Sequence, residues 1–243
     1  NRTMNSPADI NLLRQVITSP VPVRHAELSM VFSADDDISS PSPYLIDLGL
    51  QASIRASQIS LSEISARMSE PPYYVDIWPG EHYRLLTALI DLLQPLCVLD
   101  IGTATGLSAL AMKKLLPRNG TLYTFDLLDW KSFSNTCLRP ADFEDGRLIQ
   151  YLDNLQSPEA ILRHREILEN ADLILIDAAK DGIGEQIFLD NFNLVKFKKK
   201  PLLVFDDIKL WNMLKIWRNI AKPKLDLTSF GHWSGTGLVE WVA

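Results

Sequence analysis

Residues 98–108 read VLDIGTATGLS, a pattern typical of a strand, a tight turn and the start of a helix. Its apolar start has the length of a β-strand, and a helical pattern of leucine, alanine and methionine begins at Leu107. Gly102 and Gly106 lie between the two, where residues without a Cβ let the backbone turn tightly and approach a ligand. The spacing is not G-x-G-x-x-G, and a pyrophosphate would fit poorly beside the carboxylate of Asp100. The bend therefore favours a cationic ligand, with an ordinary tight turn as the alternative.

The sequence around this bend alternates between short apolar runs and helical segments. The apolar runs cover residues 97–101, 121–125, 148–152, 173–176 and 202–205. The helical segments cover residues 85–93, 107–116, 158–169, 183–195 and 210–221. Such alternation predicts an α/β fold with a doubly wound, mostly parallel sheet that helices cover on both faces. The last apolar runs, 225–230 and 237–242, flank a glycine- and serine-rich turn and predict an antiparallel hairpin at one edge.

The first 78 residues have a different character. They contain no clear β-run, they are rich in proline, and helical periodicity occurs around residues 10–16 and 44–68. We therefore expect two parts. Residues 1–78 would form an N-terminal helical extension or cap, and residues 79–243 would form a cofactor-binding domain.

The composition limits the partners. The 243 residues include 24 Lys and Arg against 30 Asp and Glu, a formal charge of −6, which argues against nucleic acid as a partner. A short lysine run at 196–200 is typical of a solvated loop. No apolar run reaches the ~20 residues that span a bilayer, and no signal-peptide pattern opens the sequence. Two cysteines without a pairing pattern fit a reducing compartment, so we expect a cytoplasmic protein without a membrane partner.

The residues that follow each strand are the ligand-binding candidates, because ligands bind beyond the carboxyl ends of the strands in open α/β sheets. Asp126 follows the second strand, where a carboxylate can accept hydrogen bonds from both hydroxyls of a ribose. A helix N-cap is the alternative role for Asp126. Asp153 and Asn154 follow the third strand and could face an adenine amine or belong to a polar loop. Trp130 could be a cofactor wall or a packing residue.

Three carboxylates follow the fourth and fifth strands, which we expect to be neighbours. Asp177 ends one strand, and Asp206 and Asp207 end the other. Unpaired carboxylates at one place repel one another, and a hard divalent cation with oxygen ligands removes that repulsion. Lys180 lies beside the cluster and could orient or deprotonate a hydroxyl whose pKa a metal lowers. The alternative places the aspartates at a helix start and Lys180 on the surface.

These motifs resemble those of class I S-adenosylmethionine-dependent methyltransferases. Residues 98–108 look like motif I, in particular that of the caffeoyl-CoA and catechol O-methyltransferase group. Residues 173–181 are similar to the F-I-D-A-D-K segment of that group, and residues 204–208 resemble its D-N metal pair. Asp207 stands where the plant and animal enzymes have Asn. An Asp-Asp pair is instead similar to the macrocin-type sugar O-methyltransferases of natural-product pathways.

The resemblance implies a seven-stranded Rossmann-like fold, S-adenosylmethionine as cofactor and a divalent cation, with Mg²⁺ the first expectation. The implied metal ligands are Asp177, Asp206 and Asp207, and the implied catalytic residues are Lys180 and Asp177. The cofactor-binding residues are expected to be Asp100, Gly102, Thr103, Gly106, Ser108, Asp126 and Asp153. His232 in the predicted hairpin turn is a second candidate base, with a surface histidine as the alternative.

The implied reaction is an in-line methyl transfer from the sulfonium to a small hydroxylated substrate, of the sugar or natural-product kind. Two other classes stay open from the residues. One is a metal-independent methyltransferase acting on nitrogen or carbon. The other is a non-catalytic cofactor-binding or scaffold module, in which the helical extension serves docking or a homodimer. The glycine spacing disfavours a nicotinamide dehydrogenase.

Overall fold

A single sheet runs through the computed structural model, which describes residues 38–70 and 73–242. Within those residues seven strands pair in the order β3-β2-β1-β4-β5-β7-β6. The strands are β1 (Cys97–Ile101), β2 (Thr121–Asp126), β3 (Leu148–Leu152), β4 (Leu173–Ile176), β5 (Leu202–Asp206), β6 (Lys224–Asp226) and β7 (Thr236–Glu240). The helical pattern predicted at residues 10–16 lies outside the described residues.

The chain winds outward from the middle of the sheet in both directions. From β1 it proceeds through β2 to β3, and it then crosses to β4 and β5 on the other side of β1, all in parallel pairs. The last strand, β7, lies between β5 and β6 and runs antiparallel to both. The predicted doubly wound sheet with an antiparallel end is confirmed. Its strand order reverses between β1 and β4, where open α/β sheets bind ligands.

Helices cover both faces of the sheet. They are α1 (Pro43–Ala56), α2 (Ser62–Ser65), α3 (Tyr83–Leu93), α4 (Leu107–Lys114), α5 (Pro158–Arg163), α6 (Arg165–Glu169), α7 (Gly184–Phe192) and α8 (Leu214–Asn219). Because strand side chains alternate between faces, Val98 and Leu175 pack with α1 to α4, whereas Leu99 and Ile174 pack with α5 to α8. Both layers are continuous and apolar, which explains why the strands are apolar throughout.

Helix α1 packs into the layer that covers one face of the sheet. Leu45 of α1 and Leu61 before α2 are fully buried in the same apolar cluster as Val98. Ser42 is the N-cap of α1: its hydroxyl accepts a hydrogen bond from the Leu45 N–H at 3.1 Å and donates one to Glu240 at 2.8 Å. The described part of the predicted extension thus covers the sheet. The division at residue 78 stays a prediction.

Several predicted elements have other bounds in the structure, and the helix predicted at residues 210–221, for example, is the shorter α8. Residues 158–169 form two helices, because the backbone leaves helical geometry at His164, whose ring lies 2.9 Å from the Asp153 carboxylate. The strand expected at 225–230 is short: β6 ends at Asp226, whose carboxylate accepts the N–H two residues later and begins a 3-10 turn.

Candidate active site

A cleft opens at the carboxyl ends of the parallel strands, at the switch point between β1 and β4. Its volume is about 290 Å³. Among the predicted site residues it is lined by Gly102 after β1, Asp126 at the end of β2, Asp153 after β3 and Asp177 after β4. The structure therefore brings together one predicted residue from each of four strands, as the parallel topology requires.

The glycine bend after β1 is required by the close approach of the β1 and β4 backbones. Gly102 has φ +112°, and a Cβ there would lie 1.8 Å from the carbonyl oxygen of Asp177. Gly106 has φ +84°, and a Cβ would lie 2.2 Å from Leu138. Any side chain at Gly102 would therefore push β4 away from β1 and deform the cleft.

Asp126 ties the bend to the end of β2. One carboxylate oxygen accepts the Ala104 N–H at 2.8 Å, and the other accepts the Leu128 N–H at 3.1 Å. Ala104 itself has φ +41°, so the carboxylate supports a backbone conformation that residues other than glycine rarely adopt. Each carboxylate oxygen has a second lone pair, so Asp126 can still accept hydrogen bonds from a ligand in the cleft.

Three of the predicted cofactor residues form a buried polar network beneath the bend. Asp100 is fully buried, and its carboxylate accepts hydrogen bonds from Ser108 at 3.1 Å and Thr124 at 2.9 Å. The hydroxyl of Thr103 pairs with that of Thr124 at 2.7 Å. Burial raises the pKa of Asp100 to about 7, against the opposing hydrogen bond from Thr124. These side chains support the bend from below, and direct cofactor contacts by Asp100, Thr103 and Ser108 stay predictions.

Asp153 lies at the cleft but has protein partners. Its carboxylate pairs with Arg163 at 2.7 Å and with His164 at 2.9 Å. The hydrogen bond from Arg163 is the main reason that the pKa of Asp153 falls to about 2. An adenine contact by Asp153 stays a prediction.

Trp130, the aromatic candidate for a wall of the cofactor site, stacks on Phe143 with ring centroids 5.4 Å apart and packs against the core.

The three predicted metal ligands converge on the ammonium group of Lys180. Its Nζ lies 2.8 Å from Asp177 Oδ1 and 2.9 Å from Asp206 Oδ2, and it also contacts Asp207 Oδ2. One oxygen from each carboxylate lies within 4.8 Å of the others. The positive charge of Lys180 thus lies where the sequence predicts a cation, and it offsets the repulsion among the carboxylates.

The backbone around Lys180 and Asp207 fixes this geometry. Both residues have positive φ, +52° and +61°. The Lys180 N–H donates to Glu185 at 2.7 Å, and the Lys180 carbonyl accepts from Asn212. The Asp207 N–H donates to the Gly235 carbonyl at 2.7 Å. Left-handed conformations in residues other than glycine persist where surrounding contacts hold them, and they cluster at functional sites.

Two histidines complete the cluster. His232, in the turn before β7, places Nδ1 2.9 Å from Asp206 Oδ1 and Nε2 3.4 Å from Glu81. The surface alternative for His232 is wrong, because its side chain is only 17% exposed. His82, at the start of α3, was not predicted as a site residue. It is 3% exposed, and its Nδ1 lies 3.2 Å from Asp206 Oδ1. A histidine before an amphipathic helix carries no spacing signal, so only the packing reveals it.

The carboxylates and cations of the cluster shift one another's protonation. Burial alone would lower the pKa of Lys180, but Asp177 and Asp206 outweigh it and raise that pKa above its usual range. Burial would likewise lower the pKa of His232. The hydrogen bonds to Asp206 and Asp207 outweigh it and raise that pKa to about 10. In this arrangement both candidate bases, Lys180 and His232, hold their protons.

A doubly wound sheet whose last strand inserts antiparallel, with a cleft at its switch point, is a Rossmann-like fold. The chain belongs to the O-methyltransferase family, whose model matches residues 58–222. In residues 38–70 and 73–242, no helix combines the length and apolar character needed to cross a bilayer.

Two maize proteins are similar to this chain at low sequence identity. Caffeoyl-CoA O-methyltransferase 1 of Zea mays is 27% identical over 176 residues, which cover 70% of this chain and 63% of the maize protein. Caffeoyl-CoA O-methyltransferase 2 of the same plant is 26% identical over 176 residues, which cover 70% of this chain and 62% of that protein. The chain therefore spans less than two thirds of the length of these relatives. A Staphylococcus aureus crystal structure assigned as a caffeoyl-CoA O-methyltransferase superposes with a TM-score of 0.52 at 16% identity, over 82% of this chain and 98% of that one, and shows the shared fold.

Proposed function

We propose that this chain transfers a methyl group from S-adenosylmethionine to a hydroxyl of a small molecule, with the help of a divalent cation. The observation that supports the proposal best is the double position of Asp177. It lines the cleft together with Asp126, and its carboxylate is also part of the cluster with Asp206. A donor in the cleft and a cation at the cluster would therefore be neighbours.

The residues of the cleft suit S-adenosylmethionine. Asp126 offers carboxylate oxygens to a ribose diol, and the Gly102 bend lets the ligand approach the backbone. The buried carboxylate of Asp100 beneath the bend is an acid that a nearby cationic amino group would favour in its ionised form. Family membership supports the same cofactor.

The carboxylate cluster suits a hard cation such as Mg²⁺. Its three oxygens come from Asp177, Asp206 and Asp207, and carboxylates with remaining places for water or substrate are the ligands that Mg²⁺ takes. When bound, the cation would polarise the acceptor hydroxyl and lower its pKa. The cation would then take the place of the Lys180 ammonium, which contacts these carboxylates in the structure.

Lys180 and His232 are the candidates to orient the acceptor. Each would be able to receive the acceptor's proton only after a cation bound at the carboxylates had displaced that residue from them and lowered its pKa. Both lie at the cluster, and Nε2 of His232 also lies 3.4 Å from the partly buried carboxylate of Glu81. The protein's remaining work is to align the acceptor oxygen with the methyl carbon and to exclude water. The substrate is proposed to be a small hydroxylated molecule, with catechols and glycosides as the first classes to test.

The test combines ligand binding with turnover. Calorimetry with S-adenosylhomocysteine should show binding that Asp126→Ala weakens. A panel of catechols and glycosides, assayed by release of S-adenosylhomocysteine, should show turnover that EDTA abolishes and Mg²⁺ restores.

Turnover that persists in EDTA and in Asp177→Ala and Asp207→Ala would support the metal-independent alternative instead. Absence of S-adenosylhomocysteine binding would contradict the proposed cofactor and support a scaffold role. The exposed Asp190→Asn variant, on α7, is the control for unspecific effects of removing a carboxylate.

A further inference from the structure

The carboxylate of Asp206 faces two different groups of residues. Its Oδ2 lies toward Lys180, at 2.9 Å from Nζ, on the side of the three carboxylates. Its Oδ1 lies toward two imidazoles, at 2.9 Å from Nδ1 of His232 and 3.2 Å from Nδ1 of His82. The second side is not part of the motifs in the sequence, and its atoms lie within 4.8 Å of one another.

His82 is buried, and its ring nitrogens lack hydrogen-bond partners among the described residues. Its side chain is 3% exposed, and within the described residues neither Nδ1 nor Nε2 has a hydrogen-bond partner. The 3.2 Å contact of Nδ1 with Asp206 is close but is not aligned as a hydrogen bond. An unsatisfied buried polar side chain is costly, because it has lost its hydrogen bonds to water without replacing them. In native proteins such a group requires an explanation, of which an ion at the site is one.

The surroundings of His232 are those of a metal-binding histidine. Metal-bound histidines usually give their second ring nitrogen to a carboxylate or carbonyl, which fixes the orientation of the ring. Here Nε2 of His232 faces Glu81 at 3.4 Å, and Nδ1 faces Asp206. Glu81 therefore occupies the outer position of such an arrangement, one residue before His82.

Backbone contacts hold the two histidines beside β5. Gly80 forms a parallel bridge with His232: the Gly80 N–H donates to the Gly231 carbonyl at 3.2 Å, and the Trp233 N–H donates to the Gly80 carbonyl at 2.9 Å. The segments that contain His82 and His232 are thus joined to each other. A ligand set on such rigid backbone is preorganised.

Two imidazoles and one carboxylate select a different metal from three carboxylates. Imidazole nitrogen suits zinc, copper, iron and nickel, whereas Mg²⁺ prefers oxygen ligands. Ligands about 2.0–2.1 Å from a tetrahedral zinc lie roughly 3.4 Å apart, close to the separations of both Nδ1 atoms from Asp206 Oδ1. Small shifts would admit the ion, which would replace the proton that His232 directs at the carboxylates.

We propose that His82, His232 and Asp206 form a binding site for a borderline d-block cation such as Zn²⁺, separate from the carboxylate position at Lys180. Asp206 would be shared between the two positions, one oxygen toward each. The site requires neither the methyl donor nor methyl transfer, so its test is independent of the proposed function.

The experiment uses the untagged chain, stripped with EDTA, desalted and kept in excess Mg²⁺ so that the carboxylate position is saturated. Co²⁺ is titrated in as the probe, and its visible absorption band reports nitrogen ligation. We expect one Co²⁺ per chain, displaced by Zn²⁺. His82→Gln and His232→Gln should each weaken Co²⁺ binding at least tenfold.

The matched controls are His164→Gln, a histidine that pairs with Asp153 on the opposite face of the sheet, and Asp177→Asn at the carboxylate position. Both should retain Co²⁺ binding. Absence of the band in the native chain, or an unchanged affinity in His232→Gln, would overturn the proposal. Equal loss in Asp177→Asn would place the ion at the carboxylates and overturn it as well. Circular dichroism checks each fold, and His232→Gln alone decides if His82→Gln does not fold.

Discussion

Nζ of Lys180 lies 2.9 Å from Oδ2 of Asp206, so a side chain of the protein occupies the position between the β4 and β5 carboxylates. The contact is partly buried, since Lys180 is 27% exposed and Asp206 is 3% exposed. The lysine therefore offsets part of the negative charge of the three carboxylates, and it would compete with a divalent ion for the same oxygens.

Removing the ammonium should expose this competition. Lys180→Met leaves Asp177, Asp206 and Asp207 without their shared cation, and in EDTA we expect a stability loss of roughly 2 kcal/mol. Mg²⁺ should then raise the melting temperature of the variant more than that of the native chain. Thermal denaturation with EDTA and with Mg²⁺ measures both effects. Lys196→Met, an exposed lysine elsewhere, is the control, and an equal Mg²⁺ response in all three proteins would contradict the competition.

The ribose role of Asp126 can be separated from general effects of charge. Asp126→Ala removes the acceptor in the cleft and the support of the Ala104 N–H, so S-adenosylhomocysteine affinity should fall about 10- to 100-fold. Isothermal titration calorimetry measures the affinity. Asp129→Ala is the matched control. Asp129 lies three residues after Asp126, caps the 3-10 turn that begins at Trp130, and is not among the residues that line the cleft. If both variants bind alike, Asp126 does not hold the ribose.

The glycine bend should tolerate no side chain at Gly102, whereas Gly146, in the turn before β3, should tolerate a small one. Gly102→Ala would place a Cβ 1.8 Å from the Asp177 carbonyl, and we expect a loss of stability above ~3 kcal/mol together with loss of S-adenosylhomocysteine binding. Gly146→Ala is the control, since Gly146 also has positive φ, +69°, but no atom lies within 4 Å of the added Cβ. That change should cost about 1 kcal/mol. Chemical denaturation compares the two.

Asp100 should make the fold less stable as the pH rises. Its pKa is about 7 in the folded chain against an ordinary value of 3.8. Below pH 4 the group is protonated in both states and costs nothing. Between pH 4 and 7 the unfolded chain loses its proton while the folded chain keeps it, so stability falls by up to roughly 4 kcal/mol.

The variant Asp100→Asn cannot lose a proton, so this fall should disappear, and its stability relative to the native chain should increase from pH 4 to pH 7. Urea denaturation at a series of pH values measures the difference. A constant difference between the two proteins across that range would show that Asp100 is not responsible.

Several features could be predicted from local sequence alone. The runs that became β1 to β5 are continuous and apolar because both sheet faces are covered, and the strand bounds follow directly from them. The convergence of Asp177, Asp206 and Asp207 was also predictable, because parallel neighbouring strands end at one edge. The break at His164 was not, because the Asp153 carboxylate that it faces belongs to another element.

The alternation of strands and helices, the glycine bend and the acidic residues at the strand ends could all be predicted from local sequence. These depend on short-range periodicity and on residue types whose conformational limits are local. The tertiary structure decided that Lys180 fills the carboxylate cluster and that His82 and His232 meet at Asp206. Those contacts join segments up to 150 residues apart (82 to 232), and only the packing of α3 and the β6–β7 turn against β5 brings them together.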